Sequence, residues 1–198
     1  LEFRRVLFRS LSVALTYGAA DVLAGLLLIP PLSPALVGDA TVHHRLVANS
    51  NSALASRDFS YIQRVNNLGL RGGDIAPQKD AHTFRIAMLG DSFTMGKGVE
   101  DGETFSALLE AELNGAAGRR VEVLNAGVDS YAPILSFLQL KAQLLPLAPD
   151  LVMLHLDMSD LQQEIAYRQR AVYDADGQLA GVDGREDQIA LTRTQRAR

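Results

Sequence analysis

Apolar positions along the chain fall into two regimes. Residues 11–32, LSVALTYGAADVLAGLLLIPPL, are almost continuously apolar, with Asp21 the one charge inside the run. From Phe84 onward, short apolar runs alternate with segments whose apolar residues recur every three or four positions. FRIAMLG (84–90) has strand length and ends on a glycine, and ETFSALLEAEL (103–113) puts Phe105, Leu108, Leu109 and Leu113 on one helical stripe with Gly115 as a stop. VEVLNAG (121–127) repeats the strand pattern, ILSFLQLKAQLLPL (134–147) predicts a second helix, and LVMLHLDM (151–158) predicts a third strand. VYDADGQLAGV (172–182) reads as a hairpin; DADG within it lacks the spacing of an EF-hand calcium loop.

Strands separated by helices of this length pair in parallel through right-handed crossovers. The expected fold class is therefore α/β, a three-layer doubly wound parallel sheet of flavodoxin-like type, preceded by one apolar helix. The site of such a sheet lies beyond the carboxyl ends of its strands. Polar residues collect there: Asp91-Ser92, Gly127-Val128-Asp129 and Asp157-Met158-Ser159-Asp160.

The rest of the chain divides into three parts. LEFRRVLFRS (1–10) reads as translated adapter sequence outside the fold. Residues 11–32 match the ~20 residues of a membrane span, although a mid-bilayer carboxylate costs about 2.5–3.5 kcal/mol. A membrane anchor holding an extracytoplasmic domain is the expectation, with a cleaved signal or a soluble helix as alternatives. Residues 33–83 lack sustained periodicity and read as connector and lead-in, with NNLGLRGGDI (66–75) an ordered turn. Residues 84–198 form a partial domain, whose end, LTRTQRAR, has neither a helix stop nor a terminal strand.

Composition narrows the chemistry. With 198 residues, 47% hydrophobic and 21% charged, the chain suits one domain with a short appendage. A net charge of −4 and the lack of a basic, aromatic-rich block exclude nucleic acid as a partner. No cysteine is present, so disulfides, thiolate metal sites and a cysteine nucleophile are excluded, while the compartment is left open.

RIAMLGDSFTMGKGV (85–99) admits two chemistries. A phosphate loop needs four residues between its glycines and a hydroxyl after the lysine; here five residues separate Gly90 from Gly96, and Lys97 precedes Gly98. The alternative is a turn that presents Ser92 at the end of a buried strand, a position that suits a nucleophile and equally a helix N-cap. It is not a G-x-S-x-G elbow, because Thr94 stands where that motif has glycine.

GDSFTMGKGVEDGETFSALLE, followed by LNAGVDSY and then PDLVMLHLDMSDL, resembles the GDSL/SGNH serine hydrolase superfamily, in particular its membrane-anchored bacterial members, over roughly residues 66–181. The resemblance implies a nucleophile and one oxyanion-hole amide at Ser92 and a second amide at Gly127. It places the third block, usually Gly-x-Asn-Asp, on Asp157 to Asp160. Only Asp160 agrees with that block; Ser159 stands in place of the asparagine that completes the oxyanion hole. Asp91, Asp129 and Asp160 are candidate pocket residues, and for Asp129 a surface turn is the alternative.

The family's base is the histidine of an Asp-x-x-His, and this chain contains no such segment. Its four histidines, His43, His44, His82 and His155, all precede Asp160. The resemblance thus describes a fragment lacking the final block, nearly inactive as it stands. His155 is expected to pack within the sheet, and His43 and His44 to form a solvated pair. The implied function is ester hydrolysis through an acyl-enzyme, on acyl esters such as those of envelope carbohydrate, without metal or cofactor. An O-acyltransferase and a noncatalytic envelope-binding domain of the same fold are the alternatives.

Overall fold

The computed structural model describes residues 11–20, 23, 35–56, 58–116 and 118–184. It is a mixed α/β structure around a three-stranded parallel sheet. The central strand is β5 (Phe84–Leu89), flanked by β6 (Val121–Asn125) and β7 (Leu151–Leu154), so the order is β6-β5-β7. Its register pairs Ile86 with Val123 and with Leu151, and Met88 with Asn125 and with Met153. Pleating sends Ile86 and Met88 to one face, where they pack with Val121, Val123, Leu109 and Leu113. Ala87 and Leu89 go to the other, against Leu124, Leu144 and Leu147. A strand buried on both faces explains why β5 reads as a continuous apolar run.

Arg85 interrupts that run without disturbing it. Fully buried, it donates to the Glu122 carboxylate at 2.8 and 3.0 Å and to the carbonyls of Ala76, Pro77 and Leu147. These bonds tie the end of the lead-in to the start of the sheet, since a buried charge persists only when paired and hydrogen-bonded.

Helix α3 (Phe105–Ala116) follows the expected stripe in part. Leu109 and Leu113 face the sheet, Phe105 and Leu108 stay exposed, and Gly115 lies inside the helix rather than ending it. The same helix guards the open edge of β6. Asn114 exchanges hydrogen bonds with both main-chain groups of Val121, and Glu110 accepts from the Val123 amide at 2.7 Å. Side chains thus replace a neighbouring strand. Helix α4 (Pro133–Gln139), with proline in its first turn, continues into a π turn (Leu140–Leu144) and a 3-10 turn ending before Ala148.

Four expectations change. The lead-in is not irregular: β1 (Leu36–Asp39) and β2 (His43–Leu46) form one antiparallel hairpin, β3 (Ser50–Ala55) and β4 (Ser60–Val65) another. In β4, Tyr61, Gln63 and Val65 are buried and their neighbours exposed, a period of two that polar Gln63 hides from hydropathy. Of the third strand expected over 151–158, β7 takes up Leu151–Leu154, and all four residues are exposed: β7 is the sheet's edge, and among the described residues no strand pairs with its far side. The membrane anchor and the localisation built on it are not supported. Among the described residues no helix is long and apolar enough to cross a membrane; helix α1 is described over residues 11–20. The rest of the apolar run, apart from Leu23, and the adapter-like residues 1–10 lie outside the described residues.

The hairpin expected near Asp174 is present as β8 (Ala171–Tyr173) and β9 (Leu179–Val182). Val182 of β9 joins Val42, Leu46, Val65, Met95, Tyr131 and Leu135 in a core that binds the first hairpin and β9 to the sheet's carboxyl side.

Candidate functional site

The second and third polar blocks both converge on the turn after β5. Gly90, at φ 153°, leads out of the strand; a Cβ there would meet the Thr94 hydroxyl at 2.2 Å, so only glycine fits. Asp91 is the N-cap of a single-turn helix, α2 (Ser92–Met95), and its carboxylate accepts from the Phe93 amide at 2.9 Å. Ser92 is therefore the first residue inside the helix, and the N-cap role open to it in the sequence belongs to its neighbour. Its side chain is half-buried, and among the described residues nothing hydrogen-bonds its hydroxyl. The turn closes at Gly96 (φ 86°), whose amide, like that of Lys97, donates to the Ser92 carbonyl at 3.0 Å.

Gly127 lies against this turn. A Cβ on it would stand 2.1 Å from the Met95 nitrogen and 2.6 Å from the Thr94 carbonyl carbon, so the second block abuts the backbone of α2. Its amide, however, donates to the Asn125 side chain at 3.2 Å. Ser159, the expected third donor, is exposed, and both its amide and its hydroxyl donate to Asp157 at 2.6 and 2.7 Å. Of the three expected oxyanion donors, the structure thus gives Gly127 and Ser159 other acceptors. Asp129 resolves as a rim residue: its carboxylate pairs with Lys97 at 3.1 Å, joining the loop after α2 to the loop after β6.

Behind Ser92, Asp91 and Asp160 are buried, and with Asp157 they bring carboxylate oxygens within 4.8 Å of one another. This grouping is compact enough for a metal ion. Burial, and then the negative charges of Asp157 and Asp160, hold the Asp91 carboxyl above the ordinary range, against the pull of the Phe93 amide. The Ser159 hydroxyl and amide hold Asp157 below it. Asp160 begins helix α5 (Asp160–Arg168) and accepts from the Asp157 amide at 2.9 Å.

The histidines behave differently from expectation. His155 lies one residue beyond β7, exposed; its Nδ1 is 3.4 Å from the Thr94 hydroxyl and its ring meets the edge of Phe105. His43 is buried. Its Nδ1 is 2.8 Å from Nδ1 of His44, while His44 Nε2 donates to the Asp129 carbonyl and Arg170 reaches His43 Nε2 at 2.9 Å. Far from being solvated, the pair pins the first hairpin to the loop after β6. Hydropathy carries no sign of this, because the contact spans 85 residues.

Sequence reasoning also missed Arg71 and Asn125. Arg71 is buried beneath α2, and Asn125 donates to the Met95 carbonyl at 3.3 Å. Ser130 holds a left-handed φ of 62°. The LGLRGG turn was the available signal for Arg71, a charge set between glycines. A groove of about 760 Å³ opens beside Arg71, Asp101, Ser106 and Glu122, but Ser92 does not line it. No protein-family model matches the chain, and no curated protein matches it.

Proposed function

We propose that this chain carries the nucleophile half of an SGNH-type serine ester hydrolase, on a doubly wound three-layer domain, with Ser92 attacking the carbonyl of an acyl ester borne on carbohydrate. One observation carries this reading: Ser92 stands with an unengaged hydroxyl at the carboxyl end of the central parallel strand, in a tight turn capped by Asp91 and backed by Gly127. Such a turn presents an oxygen to the crevice where ligands of parallel sheets bind. Attack forms the bond from Ser92 Oγ to the carbonyl carbon; collapse of the oxyanion expels the alcohol, and water releases the acid. The hydroxyl proton needs an acceptor, and no histidine among the described residues reaches Ser92.

A noncatalytic ester-binding domain is the second reading, favoured by the acceptors already taken by Gly127 and Ser159. Reaction with a nitrophenyl ester separates the two. The nucleophile reading predicts slow release of nitrophenol with the acyl group left on Ser92, found by mass spectrometry and absent in Ser92→Ala; bulk turnover alone does not decide, because the rate that survives in a triad lacking a member does not run through the serine. Nitrophenol release with no acyl group on Ser92, or none above the buffer rate, supports the binding domain.

A further inference from the structure

Arg71 makes more contacts to the turn bearing Ser92 than any fold requirement of the lead-in explains. Its Nη1 donates to the carbonyls of Met95 (2.9 Å) and Gly96, its Nη2 to that of Val99, and its Nε to Asp101 at 2.9 Å. Its backbone amide donates to the Asn125 carbonyl, and its guanidinium lies over the Tyr61 ring at 5.3 Å. Two of these bonds act directly on Ser92. The Met95 carbonyl shares a planar peptide with the Gly96 amide, and the Gly96 carbonyl shares one with the Lys97 amide. Those two amides are the ones that donate to the Ser92 carbonyl. One guanidinium nitrogen therefore fixes both peptide planes that hold the serine.

We infer that Arg71 is a positioning residue for Ser92, setting the orientation of its side chain through the Met95–Gly96–Lys97 peptides. Lysine cannot substitute: one ammonium cannot hold three carbonyls and a carboxylate in a fixed fork. A purely structural arginine exists for comparison. Arg85 is as deeply buried and bonds three carbonyls and a carboxylate, but near the opposite end of β5.

The inference rests on Ser92 as nucleophile, yet its test needs neither ester nor base. The chain has no cysteine, so Ser92→Cys introduces a single thiol whose alkylation by iodoacetamide can be followed against pH. Its titration depends on how the amides of the turn and the Asp91 carboxyl are set around residue 92. The profile is measured with Arg71 intact, with Arg71→Lys and with Arg85→Lys, each confirmed folded by circular dichroism. We expect Arg71→Lys to raise the thiol midpoint and slow alkylation at neutral pH about tenfold, with Arg85→Lys within about twofold of the parent. An unchanged or faster reaction in Arg71→Lys, or an equal fall in Arg85→Lys, overturns the inference. Should Arg71→Lys fail to fold, Asp101→Asn, which loosens the Nε contact at a partly exposed position, is judged by the same criteria. Failure of Ser92 to react with a serine probe would remove the hydrolase reading alone; an unmoved thiol profile in the Ser92→Cys background would remove the role of Arg71 alone.

Discussion

Replacing Gly127 with alanine tests how tightly the second block is seated on the nucleophile turn. The added methyl would lie 2.1 Å from the Met95 nitrogen, 2.6 Å from the Thr94 carbonyl carbon and 2.7 Å from the Met95 Cα. All three are backbone atoms, so no rotamer relieves them. Helix α2 would have to retreat by about 1 Å to reach even a crowded contact. That retreat is opposed by the bonds from Arg71 and Asn125 to the Met95 carbonyl and by the Asp91 cap. Overpacking of a well-packed site costs about 1–3 kcal/mol, and rigid surroundings place this case at the upper end. At about 2–4 °C per kcal/mol for a chain of this size, Gly127→Ala should melt roughly 6–12 °C below the parent. Gly102→Ala, with nothing within 4 Å of the new methyl, is the control, expected within about 0.5 kcal/mol of the parent. Thermal unfolding by circular dichroism gives both values. A Gly127→Ala protein melting with its parent would refute the packing of α2 on this glycine.

Asp91→Asn should alter the pH dependence of stability. The carboxyl of Asp91 is held above its ordinary range by burial and by Asp157 and Asp160, so its contribution is full in acid and is lost as pH rises through the raised value; the variant should gain on the parent in Tm as pH climbs from about 4 to 7, and parallel Tm–pH curves would contradict this. Arg85→Met leaves Glu122 with Arg120 as its remaining ion-pair partner but strips three carbonyls of their donor and should cost about 3 kcal/mol in urea unfolding; a loss below about 1 kcal/mol would show the cluster to be dispensable.

Where apolar period and burial coincide, the chain could be read directly. Strands β5 and β6 and the inner stripe of α3 were legible because the sheet buries them on the faces that their periodicity marks. At β7 the apolar run identified a strand but neither its end at Leu154 nor its place at the exposed edge. The hairpins at 36–65 were hidden because their inward positions include His43 and Gln63, whose partners Arg170 and Met95 lie far along the chain where no local pattern reveals them. Gly127 packs on the backbone of Thr94 and Met95 in the turn that begins at Ser92, while the acceptors taken by the Gly127 amide and Ser159 depend on side-chain rotamers of Asn125 and Asp157. Arg71 escaped notice because its partners are backbone carbonyls, which every sequence supplies.

The most direct test of Ser92 as the nucleophile is its covalent capture. Prolonged incubation of the folded chain with excess fluorophosphonate, followed by peptide mapping by mass spectrometry, should place one adduct on Ser92 and none in Ser92→Ala. An adduct on Ser130 or Ser159, or no adduct on a chain that circular dichroism shows to be folded, would contradict the account.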